Sequence, residues 1–532
     1  MKQALDLPKD IESLQALVRQ LLSENQHLKT QKAHLHEQIR LLLHKRFGAN
    51  SEKYHANQAD IFNETEAFAE EIGSDENELA EHDQRPSVIE NSNLTKITAN
   101  KPGRKSLPPE LPRIEIIHDL EADQKYCPEG HALKEIGSEI SEQMDIIPAK
   151  VQVLRHIRKK YACPCCNNGV KIAPLPPQPI PKSNASPELL AFIATGKFLD
   201  GLPLYRQTKQ FDRIGINLPR ATLANWMVRC GELIQPLINL MQEQINNYPI
   251  QQIDETRVQV LKEPGKQATM QSYMWVQRGG PPERPVILFT YSPSRSQLVA
   301  EQLLRDYQGF LQTDGYTAYA NVCAKQKLRH LGCWAHVRRK FDEAIKAQGK
   351  KPSNPYSLAH QALQMIQQLY RIEGDIKHLP PEQKQKHRQA QSMPILKAMK
   401  NWLDRALAQV TPSSLAGNAI SYMSRQWPTL IVYCEDGRLD IDNNAVERAI
   451  RPFVIGRNNW LFSDTVNGAK ASANLYSLIE TAKLNSLEPY AYLCRVFEQL
   501  PKARTLAEVE AVLPWQIDVQ PFAPGQGSLQ AA

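Results

Sequence analysis

The sequence predicts a multidomain α+β protein, and three observations carry that expectation. Leucines recur at every seventh residue near the start. Cysteines and a histidine cluster in the second hundred residues. At Ile250 the apolar spacing changes from helical to alternating. At 532 residues the chain has room for several domains.

Charge narrows the class. The net charge is +7, but residues 60–90 hold eleven acids and one Arg, a net −10, so the remainder is +17. A basic body with one acidic segment suits a polyanionic partner, nucleic acid first. No charged-then-apolar leader follows Met1 and no apolar run could span a bilayer, so a membrane partner is not expected. The nine cysteines are odd in number and clustered, which fits reduced thiols and metal ligands in a cytoplasmic protein.

The elements follow in order. Leu14, Leu21, Leu28, Leu35 and Leu42 share one phase, with Ile11, Val18, Asn25, Lys32 and Ile39 on the companion seam. Residues 1–54 therefore read as a coiled-coil helix that pairs the chain at least into a dimer. Residues 55–105, acidic and poor in aromatics, read as a disordered linker. Within 106–175, Cys127-Pro-Glu-Gly-His131 and Cys163-Pro-Cys165-Cys166 bracket alternating stretches at Glu142–Ile147 and Val151–Ile157. Two knuckles joined by a hairpin describe a zinc ribbon, with Cys127, His131, Cys163 and Cys166 as ligands to Zn²⁺. Gly130 stands where a second cysteine is expected, and Cys165 competes for a place in the second knuckle. Arg155, Arg158, Lys159 and Lys160 make one face basic.

A Pro-rich linker, Pro174–Pro181, leads to three helical stretches within 182–245, the last two joined by a Gly215 turn. This small helical domain is helix-turn-helix-like, with Arg220 and Thr222 at the start of the helix that would meet a DNA groove. From 246 to 485 the order is three antiparallel strands, a helix, then a strand ending at Asp314 and a fifth near Arg329–Trp334. That is the order of a ribonuclease-H-like α/β core, in which the first and fourth strands are neighbours. Residues of about 340–430 read as an all-helical insertion. A helix capped by Asp442 is expected to stop before Pro452. Residues 486–532 form a C-terminal domain and a loose tail.

Three acids sit where such a core would use them: Asp254 in an apolar strand, Asp314 at a strand end, and Glu447 on the late helix. Carboxylates suit Mg²⁺ or Mn²⁺, and two such ions can drive in-line displacement at phosphorus. Each acid also has a plainer reading. Asp254 could pair with Arg257, Asp314 could start a turn, and Glu447 could pair with Arg451. Asp440 and Asp442 compete for the third place. Arg338, Arg339, Lys340, Arg448 and Arg451 place positive charge nearby, as phosphate contact requires.

The chain resembles transposases of the insertion sequence 66 family over nearly its whole length. The resemblance rests on Arg46-Phe-Gly-x-x-Ser-Glu-Lys53, Gln252-Ile-Asp254-Glu-Thr, Gln312-Thr-Asp314-Gly-Tyr, Gly332-Cys-Trp-Ala-His336-x-Arg-Arg-Lys-Phe341, Asp442-Asn-Asn-x-x-Glu447-Arg-x-Ile-Arg451-Pro and Gly456-Arg-x-Asn-Trp460-Leu-Phe. It implies a zipper-like helix, a zinc-binding module and a DDE catalytic core whose triad falls on Asp254, Asp314 and Glu447. It implies supporting roles for Cys333, His336, Asn443 and Asn444. It further implies that the chain binds the terminal repeats and target DNA, works beside accessory proteins of the same element, and lives near a bacterial nucleoid. The readings from other classes are a silent DNA-binding regulator and a ribonuclease-H-like nuclease.

Overall fold

The computed structural model describes residues 10–47, 151–162, 170–347 and 356–517. The four zinc-ligand candidates, the acidic segment and the C-terminal tail lie outside these residues. The described residues fall into two compact units, one of 10–47 with 178–517, the other of 151–162 with 170–177.

In the smaller unit, β1 (Lys160–Ala162) pairs antiparallel with β2 (Val170–Ile172), Lys160 facing Ile172. Arg158 Nε donates to the Ala173 carbonyl at 2.6 Å. The alternating stretch at 151–157 corrects an expectation, since it joins no strand ladder among the described residues. Its apolar side chains stay in water, Val153 at 92% and Ile157 at 77% exposure. Alternation stabilises a strand only when one face is buried.

The larger unit begins with α1 (Ile11–Phe47), which carries the heptad leucines. Its C-terminal half touches a later helix, where the Leu415 amide donates to Glu37 at 3.2 Å. Four helices follow: α2 (Pro187–Phe198), α3 (Leu204–Arg213), α4 (Arg220–Leu233) and α5 (Gln235–Asn246). Ser186 caps α2 by accepting from the Leu189 amide, with Pro187 in the first turn.

The sheet has the spatial order β5-β4-β3-β6-β7. Strands β3 (Ile250–Lys262), β4 (Gln271–Gly279) and β5 (Val286–Ser292) run antiparallel in sequence. Helix α6 (Gln297–Leu303) then crosses to β6 (Phe310–Gln312), which lies parallel beside β3. Helix α7 (Thr317–Gln326) leads to β7 (Arg329–Leu331), parallel to β6. One face of the sheet buries Ile253, Trp275, Tyr307 and Tyr319 against α6 and α7.

From α8 (Trp334–Lys346) the chain is helical through α9 (Leu358–Asp375), α10 (Pro381–His387), α11 (Met393–Gln409) and α12 (Leu415–Leu430). Trp334, Phe341, Ile366, Met399, Leu403 and Met423 share its core. A π turn, Arg388–Ser392, separates α10 from α11.

Helix α13 (Asn444–Trp460) does not stop before Pro452 but runs through it. A helix-interior proline costs about 3 kcal/mol. Burying Ile450 and Phe453 on either side contributes roughly 1.5–3 kcal/mol each, enough to offset that. Strand β8 (Ser463–Thr465) then pairs parallel with the far end of β3, Val260 facing Ser463.

Helix α14 (Val466–Leu484) lies along β5 and meets its backbone groups. The Phe289 amide donates to Ser477 Oγ at 2.7 Å, and Thr481 Oγ1 donates to the Ile287 carbonyl at 2.9 Å. Two hydroxyls thus help occupy the edge strand, which would otherwise invite pairing. Helices α2 and α4 pack on α14, and a Cβ on Gly231 of α4 would sit 2.6 Å from Ala471. The helix-turn-helix-like segment is therefore built into this unit. Helices α15 (Pro489–Gln499) and α16 (Leu506–Glu510) finish the described chain.

Candidate active site

Asp254 on β3 and Asp314 just past the end of β6 stand at matching positions along neighbouring segments. In the parallel β3–β6 pair Gln252 faces Gln312, and each acid lies two residues further on. Alternation along β3 sends Ile253 and Glu255 to the α6–α7 face and Asp254 to the other. Arg257, three residues on, points away from Asp254, which is why that pairing does not form. The Asp314 carboxylate turns its own loop, accepting from the Tyr316 amide at 2.9 Å. Glu447 arrives on the first turn of α13, which packs against β3 and β4.

Asp254 feels the charges of both other acids. Asp254 is pushed up to about 8, first by burial and then by the charges of Glu255, Asp314 and Glu447. Glu447 faces basic groups on α8, with His336 Nε2 at 3.6 Å and Arg339 at 3.4 Å. Its Oε1 accepts no hydrogen bond among the described residues. Burial holds His336 below the ordinary imidazole value, while Glu447 pulls it back up.

The rival third acids are engaged elsewhere. Asp442 accepts from Tyr370 at 2.8 Å and from the Asn444 amide and side chain at 3.1 and 3.0 Å, forming the turn that opens α13. Asp440 is gripped by glutamines. Gln252 donates to Gln312 at 2.6 Å and to Asp440 Oδ2 at 3.4 Å, while Gln312 donates to the Asp440 carbonyl at 2.9 Å. These buried amides tie β3 and β6 to the segment that delivers Glu447. Cys333 does similar work, its buried Sγ accepting from the Asn443 amide at 3.4 Å. The Asn443 side chain is fully buried and its amide finds no partner among the described residues.

Residues that pattern reasoning passed over also line this place. Glu255 is buried and accepts from Arg295 and Tyr319. Tyr422 of α12 closes against the Asp314 loop, where a Cβ on Gly315 would meet its hydroxyl at 2.5 Å. Lys340 lies 4.7 Å from the centre of the same ring. Glu255 was visible next to Asp254. Nothing in the spacing pointed to Arg295 or Tyr422, because both reach the site by tertiary folding.

Among the basic candidates, Arg339, Arg448 and Arg451 are exposed near the acids, and Arg338 and Lys340 are half-buried on α8. Arg220 is exposed and Thr222 half-buried at the start of α4. Arg155, Arg158, Lys159 and Lys160 are exposed in the smaller unit. Among the described residues no three His, Cys, Asp or Glu groups are arranged closely enough to hold a metal ion as they stand. The donor chemistry nevertheless fits a hard cation, because the candidate ligands are carboxylate oxygens whose charges act on Asp254 and one of those oxygens lacks a donor. No described helix is long and apolar enough to cross a membrane.

Comparison with known proteins identifies the family. Residues 124–167 match the "zinc-finger binding domain of transposase IS66", 477–515 the "IS66 C-terminal element", and 34–116 the "Transposase C of IS166 homeodomain". The uncharacterized protein y4jD of Sinorhizobium fredii (strain NBRC 101917 / NGR234) is 36% identical over 423 residues, covering 77% of this chain and 81% of that one. The uncharacterized protein y4qI of the same organism is 28% identical over 537 residues, covering 96% and 97%. Residues 182–471, more than half of the chain and including Asp254, Asp314 and Glu447, match the "Transposase IS66 family", and the chain belongs to that family.

Proposed function

We propose that this chain cuts and joins DNA at the ends of its insertion sequence, with Asp254, Asp314 and Glu447 as the catalytic carboxylates of a ribonuclease-H-like DDE core. The observation that carries the reading is the electrostatic meeting of three acids delivered by β3, the end of β6 and the start of α13. Buried beside these charges, Asp254 opposes its own ionisation until a cation joins it.

Mg²⁺ or Mn²⁺ held by these three acids would supply charge stabilisation and an activated oxygen at phosphorus. The protein's part is placement. The Gln252–Gln312–Asp440 clasp and the Cys333–Asn443 bond set α13, and with it Glu447, against the strand acids. Arg339, Arg448 and Arg451 add positive charge beside the acids for the DNA backbone, Arg220 is a further exposed candidate in the same unit, and Arg155, Arg158, Lys159 and Lys160 are the candidates in the smaller unit. Cys127, His131, Cys163 and Cys166 are the proposed Zn²⁺ ligands within the zinc-finger match. The exposed leucine seam of α1 supports pairing of two chains, so that a synapse would hold two active sites.

The test is strand joining by the full chain on a duplex carrying an end of the element, with Mg²⁺ or Mn²⁺. Asp254→Asn, Asp314→Asn and Glu447→Gln should each lower the rate by about a thousandfold or more, the scale of several kcal/mol of lost charge stabilisation. DNA binding should survive each substitution. Full activity in Glu447→Gln would sink its assignment and turn attention to Asp440.

A further inference from the structure

We propose that Arg295 is a further catalytic residue, a guanidinium that grips the phosphate under attack and is presented to it by the buried carboxylate of Glu255. The proposal rests on the three-acid reading above and adds the group that neutralises the substrate rather than the site.

Glu255 cannot share the work of Asp254, although the two are adjacent. Strand alternation places it on the α6–α7 face, where its side chain is 2% exposed. There its two oxygens accept from Arg295 Nε and from the Tyr319 hydroxyl. Tyr319 is itself fixed edge-on against Trp275, ring centres 6.1 Å apart. A buried carboxylate with two fixed donors is a mount.

What it mounts is aimed at the acids. Arg295 leaves the loop between β5 and α6, which Trp275 pins by donating to the Ser294 carbonyl at 3.2 Å. Its guanidinium carbon lies 4.0 Å from the centre of the Tyr316 ring, and the Tyr316 hydroxyl donates to the Arg295 carbonyl at 3.2 Å. Nη2 then stands 4.0 Å from Asp314 Oδ2, within ion-pair reach but too far for a hydrogen bond. A guanidinium has five N–H donors, and Glu255 engages it through Nε. An arginine present only to neutralise Glu255 would be buried with it, yet 38% of this side chain remains exposed. Fixed, partly exposed and forked, it suits bidentate contact with a phosphate.

In the joining step the attacking 3′ oxygen forms a bond to phosphorus as the bond to the leaving 3′ oxygen breaks. The attacking hydroxyl gives its proton to solvent and the leaving oxygen takes one up. Arg295 keeps its protons throughout and donates hydrogen bonds to the two non-bridging oxygens as their charge grows.

The experiment measures single-turnover joining by the full chain on a pre-cleaved element end. Mg²⁺ is titrated and DNA affinity is measured alongside. Arg295→Ala should slow joining by about 10²–10³-fold, leaving DNA affinity and half-saturating Mg²⁺ within about twofold. Millimolar guanidinium ion should restore part of that rate. Glu255→Gln should slow joining less and gain nothing from guanidinium, because its arginine is present but misdirected. A normal rate in Arg295→Ala with tighter Mg²⁺ binding would overturn the proposal, making Arg295 a mere counter-charge to Asp314. A slow variant that also loses its fold or its DNA affinity and ignores guanidinium would overturn it too. If the native chain joins no ends, or joins them after Asp254→Asn, the three-acid reading fails and Arg295 with it. If Asp254→Asn abolishes joining and Arg295→Ala does not, Arg295 alone falls.

Discussion

Asp254 holds its proton up to about pH 8 because it is buried and feels the charges of Glu255, Asp314 and Glu447. An unfolded chain would release that proton near the ordinary value of 3.8. Below 3.8 both states keep it and the group is neutral to stability. As pH rises from 3.8 to about 8 only the unfolded state gives the proton up, so the native fold loses stability across that window. Asp254→Asn removes the effect. In EDTA this variant should melt above the native chain at pH 8 and higher, and the gap should close as pH falls toward 3.8. A gap that stays constant with pH would show that the carboxyl is not held neutral. Added Mg²⁺ should raise the melting temperature of the native chain most at high pH, since cation and proton compete for the same oxygens.

At the scale of elements, the helical insertion is fastened to the segment leading into α13 through Arg388. This arginine is 2% exposed in the π turn and pairs with Glu373 at 2.7 and 2.9 Å. It also donates to the carbonyls of Tyr433, Asp436 and Leu439, on the segment that leads to Asp440 and α13. The insertion thereby holds the approach to Glu447, and Tyr422 from the same bundle touches the Asp314 loop. Arg388→Ala removes the arginine donors of Glu373 and of the Tyr433 and Leu439 carbonyls, while the Asp436 carbonyl keeps the Leu439 amide. It should cost about 3–5 kcal/mol in denaturant unfolding, the penalty of breaking one half of a buried pair. Replacing both partners with apolar residues of similar volume should recover much of that stability. A loss under about 1 kcal/mol for the single change would mean that water satisfies the turn.

At the scale of the whole molecule, α1 exposes its seam: Val18, Leu21, Leu28, Leu35, Ile39 and Leu42 are each more than half exposed. Side chains of this kind lie in phase over 37 helical residues, and the proposed pairing of two chains would bury them against a second copy of α1. Analytical ultracentrifugation should show the native chain as a dimer or larger. Leu21→Glu with Leu28→Glu should yield a monomer whose far-ultraviolet spectrum is otherwise native. An unchanged sedimentation coefficient would move the interface elsewhere.

Patterning over short distances carried much of this protein. The leucine heptad, the alternation at Ile250–Val260 and the Pro187 helix start are local signals, written in adjacent residues and expressed by adjacent backbone. The acids Asp254 and Asp314 were legible because a carboxylate in or ending an apolar strand is costly without a purpose. Two expectations failed where long-range packing wins. Alternation at 151–157 meets no buried face, and Pro452 sits inside a helix stabilised by Ile450 and Phe453. Glu447 could be named beside its rivals Asp440 and Asp442, but pattern alone could not choose. The structure engages the rivals with glutamines and Tyr370 and turns Glu447 toward His336 and Arg339. Arg295, Tyr319, Tyr422 and Arg388 carried no signal at all: Arg295 and Tyr319 reach Glu255 across 40 and 64 residues, and Arg388 reaches the Tyr433 carbonyl across 45. The sequence determined which segments are helix or strand and which acids are expensive. Only the tertiary structure decided which distant side chains stand beside them, because charge and hydrogen bonds act through space and not along the chain.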